Sequence, residues 1–227
     1  MKQYHLPLPL REAMSADDFM IADSNREAVT WIVEREPSAW AGHCLILYGP
    51  PGCGKTHLLR IWQEKHKARL LELGENVTDE IVGGRAAYKA LALDDADRIA
   101  GNPEHEEWLQ HLYNATQAAH MPLLLTASAP PAQWSLKLKD IESRLKSCPA
   151  IELREPNDDL MRGMLMKQFS DRQLLVDTEV IEYLASRLER TGVAVRETVN
   201  LLDQAALEAG RKITVPFVQE VINVNHT

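Results

Sequence analysis

Residues 49 to 56 read Gly49-Pro50-Pro51-Gly52-Cys53-Gly54-Lys55-Thr56, a complete G-x-x-x-x-G-K-T pattern set between two apolar segments of different period. Cys44-Leu45-Ile46-Leu47-Tyr48 before it has the continuous apolar character of a buried strand. Lys55 to Lys65 after it carries Leu58, Leu59 and Trp62 at helical spacing. Strand, glycine loop and helix thus follow in the order that a phosphate loop requires. Glycines let backbone N–H groups turn inward onto phosphate oxygens without a clashing Cβ, and the helix N-terminus adds partial positive charge. Gly49, Pro50, Pro51, Gly52, Cys53, Gly54, Lys55 and Thr56 are therefore the expected cradle of a nucleoside di- or triphosphate. Lys55 would reach the β- and γ-phosphates, and Thr56 would hold Mg²⁺.

The chain has 227 residues, enough for one large domain or one domain with a small satellite. Its 25 basic and 33 acidic side chains leave a net charge of −8, which argues against a broad, strong DNA-binding face. Cys44, Cys53 and Cys148 lie far apart, with neither C-x-x-C spacing nor an even count. A disulfide framework or a zinc site is not expected, and a reducing cytoplasm is the natural setting. No apolar run is long enough to span a membrane and no basic-then-apolar leader opens the chain, so we expect a cytoplasmic protein without membrane attachment.

Met1 to Glu12 carries leucines and prolines without helical period and reads as an extended arm (1–12). A helix is expected from about Ser24 and Asn25, both plausible N-caps, to about Glu34. Further strands are expected at Ala68–Leu73, Ala90–Leu93, Leu123–Ala127 and Ala150–Leu153, with Val77–Gly83 as a connection and a helix over Glu104–Ala119. Alternating strands and helices imply a parallel sheet covered on both faces. Beyond Pro156 no strand pattern follows. Helices are expected over Leu160–Arg172, Thr178–Glu189, Val195–Ala209 and near Pro216–Val221. The organisation is an α/β nucleotide-binding core over 13–156 and a small all-helical lid over 157–227.

Ala90-Leu91-Ala92-Leu93-Asp94-Asp95 is an apolar strand ending in acids. With this third strand placed beside the first, Asp94 would face the metal and hold Mg²⁺, and Asp95 would act as general base on water. An N-cap role before a polar turn is the other reading of Asp95. Ser128, after the fourth strand, would sense the γ-phosphate or cap a turn before Pro130 and Pro131. Arg144 ends a helix before the fifth strand, and Arg196 opens a later helix. Either guanidinium would fork two donors onto phosphate oxygens.

Leu47-Tyr48-Gly49, Gly54-Lys55-Thr56-His57-Leu58-Leu59, Leu93-Asp94-Asp95, Arg144-Leu145-Lys146-Ser147 and Val195-Arg196-Glu197 together resemble the Walker A, Walker B, box VII and sensor 2 segments of the AAA+ ATPases of the DnaA type. The resemblance spans roughly 19–222 and implies a P-loop AAA+ three-layer core with a helical lid. By this resemblance the nucleotide is ADP or ATP, and His57 joins the nucleotide-binding segment. Arg144 is an arginine finger offered in trans, Arg196 a sensor 2 residue acting in cis, and Ser128 stands at the sensor 1 place. DnaA continues into a helix-turn-helix domain, whereas this sequence ends at Thr227, so a complete initiator is not expected.

Gln3-Tyr4-His5-Leu6-Pro7-Leu8 resembles the Q-x-x-L-x-L peptides that dock on the DNA polymerase sliding clamp. Leu6 and Leu8 are apolar anchors, Gln3 a hydrogen-bonding group, and Pro7 lowers the entropy lost on docking. A disordered tail is the alternative. Short AAA+ proteins with this arm resemble the Hda family, regulatory inactivators of DnaA, which implies DnaA and the clamp as partners and leaves a homo-oligomer open. An autonomous P-loop ATPase, such as a helicase loader or another DnaA-related replication factor, stays open beside it. So does a clamp-tethered adaptor without chemistry.

Overall fold

The computed structural model describes residues 19–225. The arm at 1–12, with Gln3, Leu6 and Leu8, lies outside the described residues. The chain enters through helix α1 (Arg26–Val29), which continues as a π-helical turn over Thr30–Glu34. Asn25 precedes this helix but does not cap it with its side chain. Instead its buried amide braces the entry loop, accepting from Ala22 N–H and donating to the Met20 carbonyl, both at 2.8 Å. This corrects the capping expectation: the amide bonds backward into the loop rather than forward into the helix.

Strand β1 (Cys44–Tyr48) leads through the glycine loop into α2 (Lys55–His66), followed by β2 (Arg69–Leu71), α3 (Thr78–Val82) and β3 (Leu91–Leu93). The α3 turn replaces the expected plain connection, and Ile81 is buried beneath it. Next come α4 (Pro103–Ala118), β4 (Leu123–Ala127), α5 (Lys139–Ser147) and β5 (Ala150–Glu152). All the strand pairs are parallel, in the order β2-β3-β4-β1-β5. The third strand is therefore not beside the first. β4 lies between them, pairing Leu91 with Leu123 on one side and Cys44 with Leu123 on the other. β4 can hold that central place because all five of its residues are buried, so both faces need apolar cover.

The two-residue strand period divides the core. Cys44, Ile46, Leu91, Leu93, Leu123 and Leu125 face the layer of α3, α4 and α5. Leu45, Leu47, Ala92 and Leu124 face α1 and α2, where Trp62 is fully buried. Pro156 and Asn157 end the α/β layer. Asn157 caps α6 (Asp158–Asp171) by accepting from Leu160 N–H at 2.9 Å. The helices α7 (Thr178–Ala185), α8 (Gly192–Ala209) and α9 (Val215–Asn225) complete a helical unit with its own core around Leu165, Phe169, Leu184 and Leu202. α7 stops four residues before the expected Glu189, since the chain must turn there to let Thr191 cap α8.

Candidate nucleotide-binding site

The glycine loop follows the C-terminal end of β1, between β4 and β5. Gly49 N–H donates to the Ala127 carbonyl at 3.1 Å, and Leu153 N–H donates to the Tyr48 carbonyl at 2.7 Å, so β4 and β5 both anchor the end of β1. Gly52 has a left-handed φ of +75°, and a Cβ there would stand 2.7 Å from Thr191 Cβ. Glycine is required at this point by backbone and by neighbour alike. The same contact seats the first turn of α8 on the loop. Arg196, half-buried, lies just over one helical turn along α8 from Thr191.

Lys55 is buried, and its ammonium donates to the Gly49 and Pro50 carbonyls at 2.8 and 2.9 Å. These bonds curl the loop around the lysine head. Cys53 fills the inner side of the loop, and burial pushes its thiol pKa up despite the pull of Lys55. His57, in the first turn of α2, meets the Phe19 ring edge-on at 5.2 Å between centroids. Phe19 also packs over Gly54, and Met20 lies against Gly163 of α6. The entry loop thus touches both the phosphate loop and the helical unit.

Thr56 and Asp94 come together as the motifs require: the Thr56 hydroxyl donates to Asp94 Oδ2 at 2.8 Å. Thr126, fully buried on β4, donates its hydroxyl to Asp94 Oδ1 and accepts from Asp95 N–H at 2.9 Å. Both carboxylate oxygens of Asp94 are consequently oriented. Asp95 has φ +51° and stands at the N-cap position of the short turn Ala96–Ile99, yet its side chain makes no capping bond. A left-handed non-glycine residue costs about 1 kcal/mol, and here Thr126 holds it. Asp97 accepts from Ser128 N–H at 2.9 Å, while its second oxygen is buried without a hydrogen-bond partner. The Ser128 side chain is exposed.

Thr126 is the residue that sequence reasoning passed over in favour of Ser128. Its signal was a hydroxyl directly after the leucine run 123–125, inside the same apolar strand, where it would be expensive to bury without a partner. Thr191 carried less signal, as a threonine before Gly192.

Arg144 is not brought to this cluster. Its Nε donates to Asp140 Oδ2 at 2.8 Å and a terminal nitrogen to Gln117 Oε1 at 3.3 Å, and the guanidinium lies over the Tyr113 ring. It belongs to the α4–α5 face.

A bound nucleotide would fit the donor set on this geometry: a loop that admits no Cβ at Gly52, an ammonium at its centre, and a hydroxyl and carboxylate side by side for a hard cation. Among the described residues, no helix is long and apolar enough to cross a membrane.

Comparison with known proteins agrees with this architecture. Residues 158–222 match the family model of the Hda lid domain. An uncharacterized protein of Haemophilus influenzae is 27% identical over 227 residues, covering 96% of this chain and 98% of that protein. Domain III of the Thermotoga maritima replication initiation protein DnaA superposes with a TM-score of 0.78 at 16% identity, covering 95% of this chain and 98% of that one. AMPPCP-bound DnaA from Aquifex aeolicus gives 0.70 at 18% identity, over 88% of this chain and 68% of that one. The Thermotoga maritima RuvB Holliday junction branch migration motor gives 0.71 at 17%, over 93% and 72%. Since an initiator and a branch migration motor superpose about equally well, these likenesses carry the fold and no activity. The helical unit at 158–222 is thus similar to the Hda lid domain, and the five-stranded parallel sheet joined to it shares the fold of DnaA domain III.

Proposed function

We propose that this chain is a DnaA-related replication factor that binds ADP or ATP with Mg²⁺ and regulates initiation by stimulating ATP hydrolysis on DnaA. The observation that carries the nucleotide part is the Thr56–Asp94 hydrogen bond, which aligns Walker A and Walker B oxygens at one point. When bound, the cation would neutralise phosphate charge. Lys55 and the loop N–H groups would hold the phosphates, and Arg196 would reach them from α8. In this reading 13–156 would serve as the nucleotide-binding core and 157–227 as its lid, with Thr191 standing against Gly52 where the two meet.

The position of Arg144 supports action in trans. It sits on the α4–α5 face, held by Asp140 and Gln117 and apart from this chain's own Thr56–Asp94 cluster, and in this reading it would act on a neighbouring AAA+ subunit. The arm 1–12 would bring the protein to the sliding clamp through Gln3, Leu6 and Leu8. In this reading the nucleotide is chiefly a structural ligand that fixes core against lid.

One observation favours a second reading, an autonomous ATPase: Asp95 is held beside Asp94 by Thr126 and has no capping duty. The deciding experiment measures phosphate release from ATP-loaded DnaA with DNA-loaded clamp and either wild type or Arg144→Ala. Stimulation by wild type that falls about 10³-fold in the variant is the expected result. Absence of stimulation by wild type would overturn the regulator. Fast hydrolysis by this chain alone, lost in Lys55→Ala, would favour the autonomous enzyme.

A further inference from the structure

Cys44 opens β1 and Cys148 follows the last turn of α5. Their separation in sequence hid a close spatial relation. The β1–β5 pairing matches Ile46 with Ala150, Leu47 with Ile151 and Tyr48 with Glu152. Continued two residues back, the same register sets Cys44 opposite Cys148, and Ile46 N–H donating to the Pro149 carbonyl at 2.9 Å holds the chains together there. Neighbouring strands lie about 4.8 Å apart, within the roughly 4.4–6.8 Å Cα separation that a disulfide spans. Both thiols also share one face of the sheet: Cys44 belongs to the core under α4 and α5, and Cys148 packs against it. Cys53 belongs to the core on the opposite face.

The two sulfurs differ in access and in acidity. Cys44 is 1% exposed, whereas Cys148 is half-buried and open to a small solute. A hydrogen bond with Cys44, opposed by partial burial and aided by the Tyr113 hydroxyl, holds the Cys148 thiol below its ordinary range. The same bond, together with complete burial, pushes Cys44 up. The more reactive thiolate therefore forms on the accessible sulfur. Cys148 Sγ also donates to the Arg144 carbonyl at 3.3 Å and lies 3.8 Å from the hydroxyl of Tyr113, whose ring carries the Arg144 guanidinium.

We propose that Cys44 and Cys148 form an oxidisable dithiol, in which hydrogen peroxide closes an intrachain disulfide between β1 and the segment joining α5 to β5 and so resets the end of α5 that carries Arg144. The Cys148 thiolate attacks a peroxide oxygen: an S–O bond forms, the O–O bond breaks, and the departing hydroxide takes a proton to leave as water. The Cys44 sulfur then attacks Cys148. An S–S bond forms, the S–O bond breaks, and the oxygen leaves as water with the proton from Cys44. The two sulfurs lose two electrons in all, and the peroxide is reduced to two waters. The effect on Arg144 rests on its reading as the residue that acts on DnaA; the dithiol itself does not.

The test treats the full-length protein with hydrogen peroxide, alkylates remaining thiols and maps the digest by mass spectrometry. A Cys44–Cys148 linked peptide that disappears with dithiothreitol, with Cys53 still alkylated, is expected, and Cys148→Ser and Cys44→Ala should each abolish it. Full alkylation of both thiols after treatment would overturn the proposal, as would a bond to Cys53 or advance of Cys148 to sulfinic acid without linkage. In the DnaA hydrolysis assay, oxidised wild type should stimulate several-fold less than reduced, with Cys148→Ser insensitive to peroxide. A mapped disulfide with unchanged stimulation would overturn the link to Arg144. Absence of stimulation by the reduced protein would instead count against the regulator reading, while the peptide map still judges the dithiol.

Discussion

The Thr56 hydroxyl donates to Asp94 Oδ2 at 2.8 Å across 38 residues of sequence, and β4 supplies the third member of the contact through Thr126. Two loop ends are thereby fixed by one buried strand between them. Thr56 stands on α2 and Thr126 on β4, and between them they hold Asp94, which directly follows β3, in a fixed orientation.

Asp94→Asn keeps the shape of this contact and removes its charge. Magnesium-dependent affinity for ADP should fall at least about tenfold, the equivalent of 1.4 kcal/mol. Titration of a fluorescent ADP analogue, with and without EDTA, measures it. An affinity equal to wild type in the presence of Mg²⁺ would remove Asp94 from the site.

Gly52→Ala forces a Cβ into a left-handed position and onto Thr191. The backbone term alone costs about 1–2 kcal/mol, and the collision adds to it. Thermal unfolding should show a lowered Tm, with nucleotide affinity reduced because the loop and α8 are pushed apart. Thr191→Ser in the same background removes the Cγ2 contact and keeps the cap, so part of the loss should be recovered. A double variant no better than Gly52→Ala would mean that Thr191 does not press on the loop.

Glu106 is fully buried and accepts N–H bonds from Gly101, Lys137 and Leu138, at 2.9, 2.8 and 2.9 Å. Burial alone would raise its pKa, but these donors outweigh it and hold the carboxyl below its ordinary value of 4.5. Its stabilising contribution is therefore full above that ordinary value and fades as pH falls through the lower folded one. Glu106→Ala strands three donors and should cost about 3 kcal/mol or more by urea unfolding at neutral pH. The difference from wild type should narrow in acid. A gap that stays constant down to the acid transition would show that the charge of the carboxylate is not what counts.

Replacing Gln3, Leu6 and Leu8 together with alanine should abolish binding to the sliding clamp in calorimetric titration while ADP affinity is unchanged. Equal clamp binding by the variant would give the arm another purpose.

Much of this architecture was legible in the residues because it is written in local patterns. The strands at Cys44–Tyr48 and Leu123–Ala127 were read to the residue, since continuous apolar runs of that length bounded by turn residues admit little else. Short or half-exposed elements were harder. α3 has five residues and a single buried side chain, too little periodicity to declare itself. Asn25 looked like a cap because its type suits one, yet its burial against the entry loop diverted both amide groups.

Residue type and near-neighbour spacing alone made the glycine loop, the acid-ended strand and the change from α/β to all-helical character after Pro156 legible. Packing settled what no spacing records. It inserted β4 between β1 and β3, turned Thr126 into the clasp of Asp94, set Thr191 on Gly52, and brought Cys44 to Cys148. Strand order and lid placement follow from how whole buried faces fit together, a property of surfaces assembled from distant segments, and no window along the chain contains them.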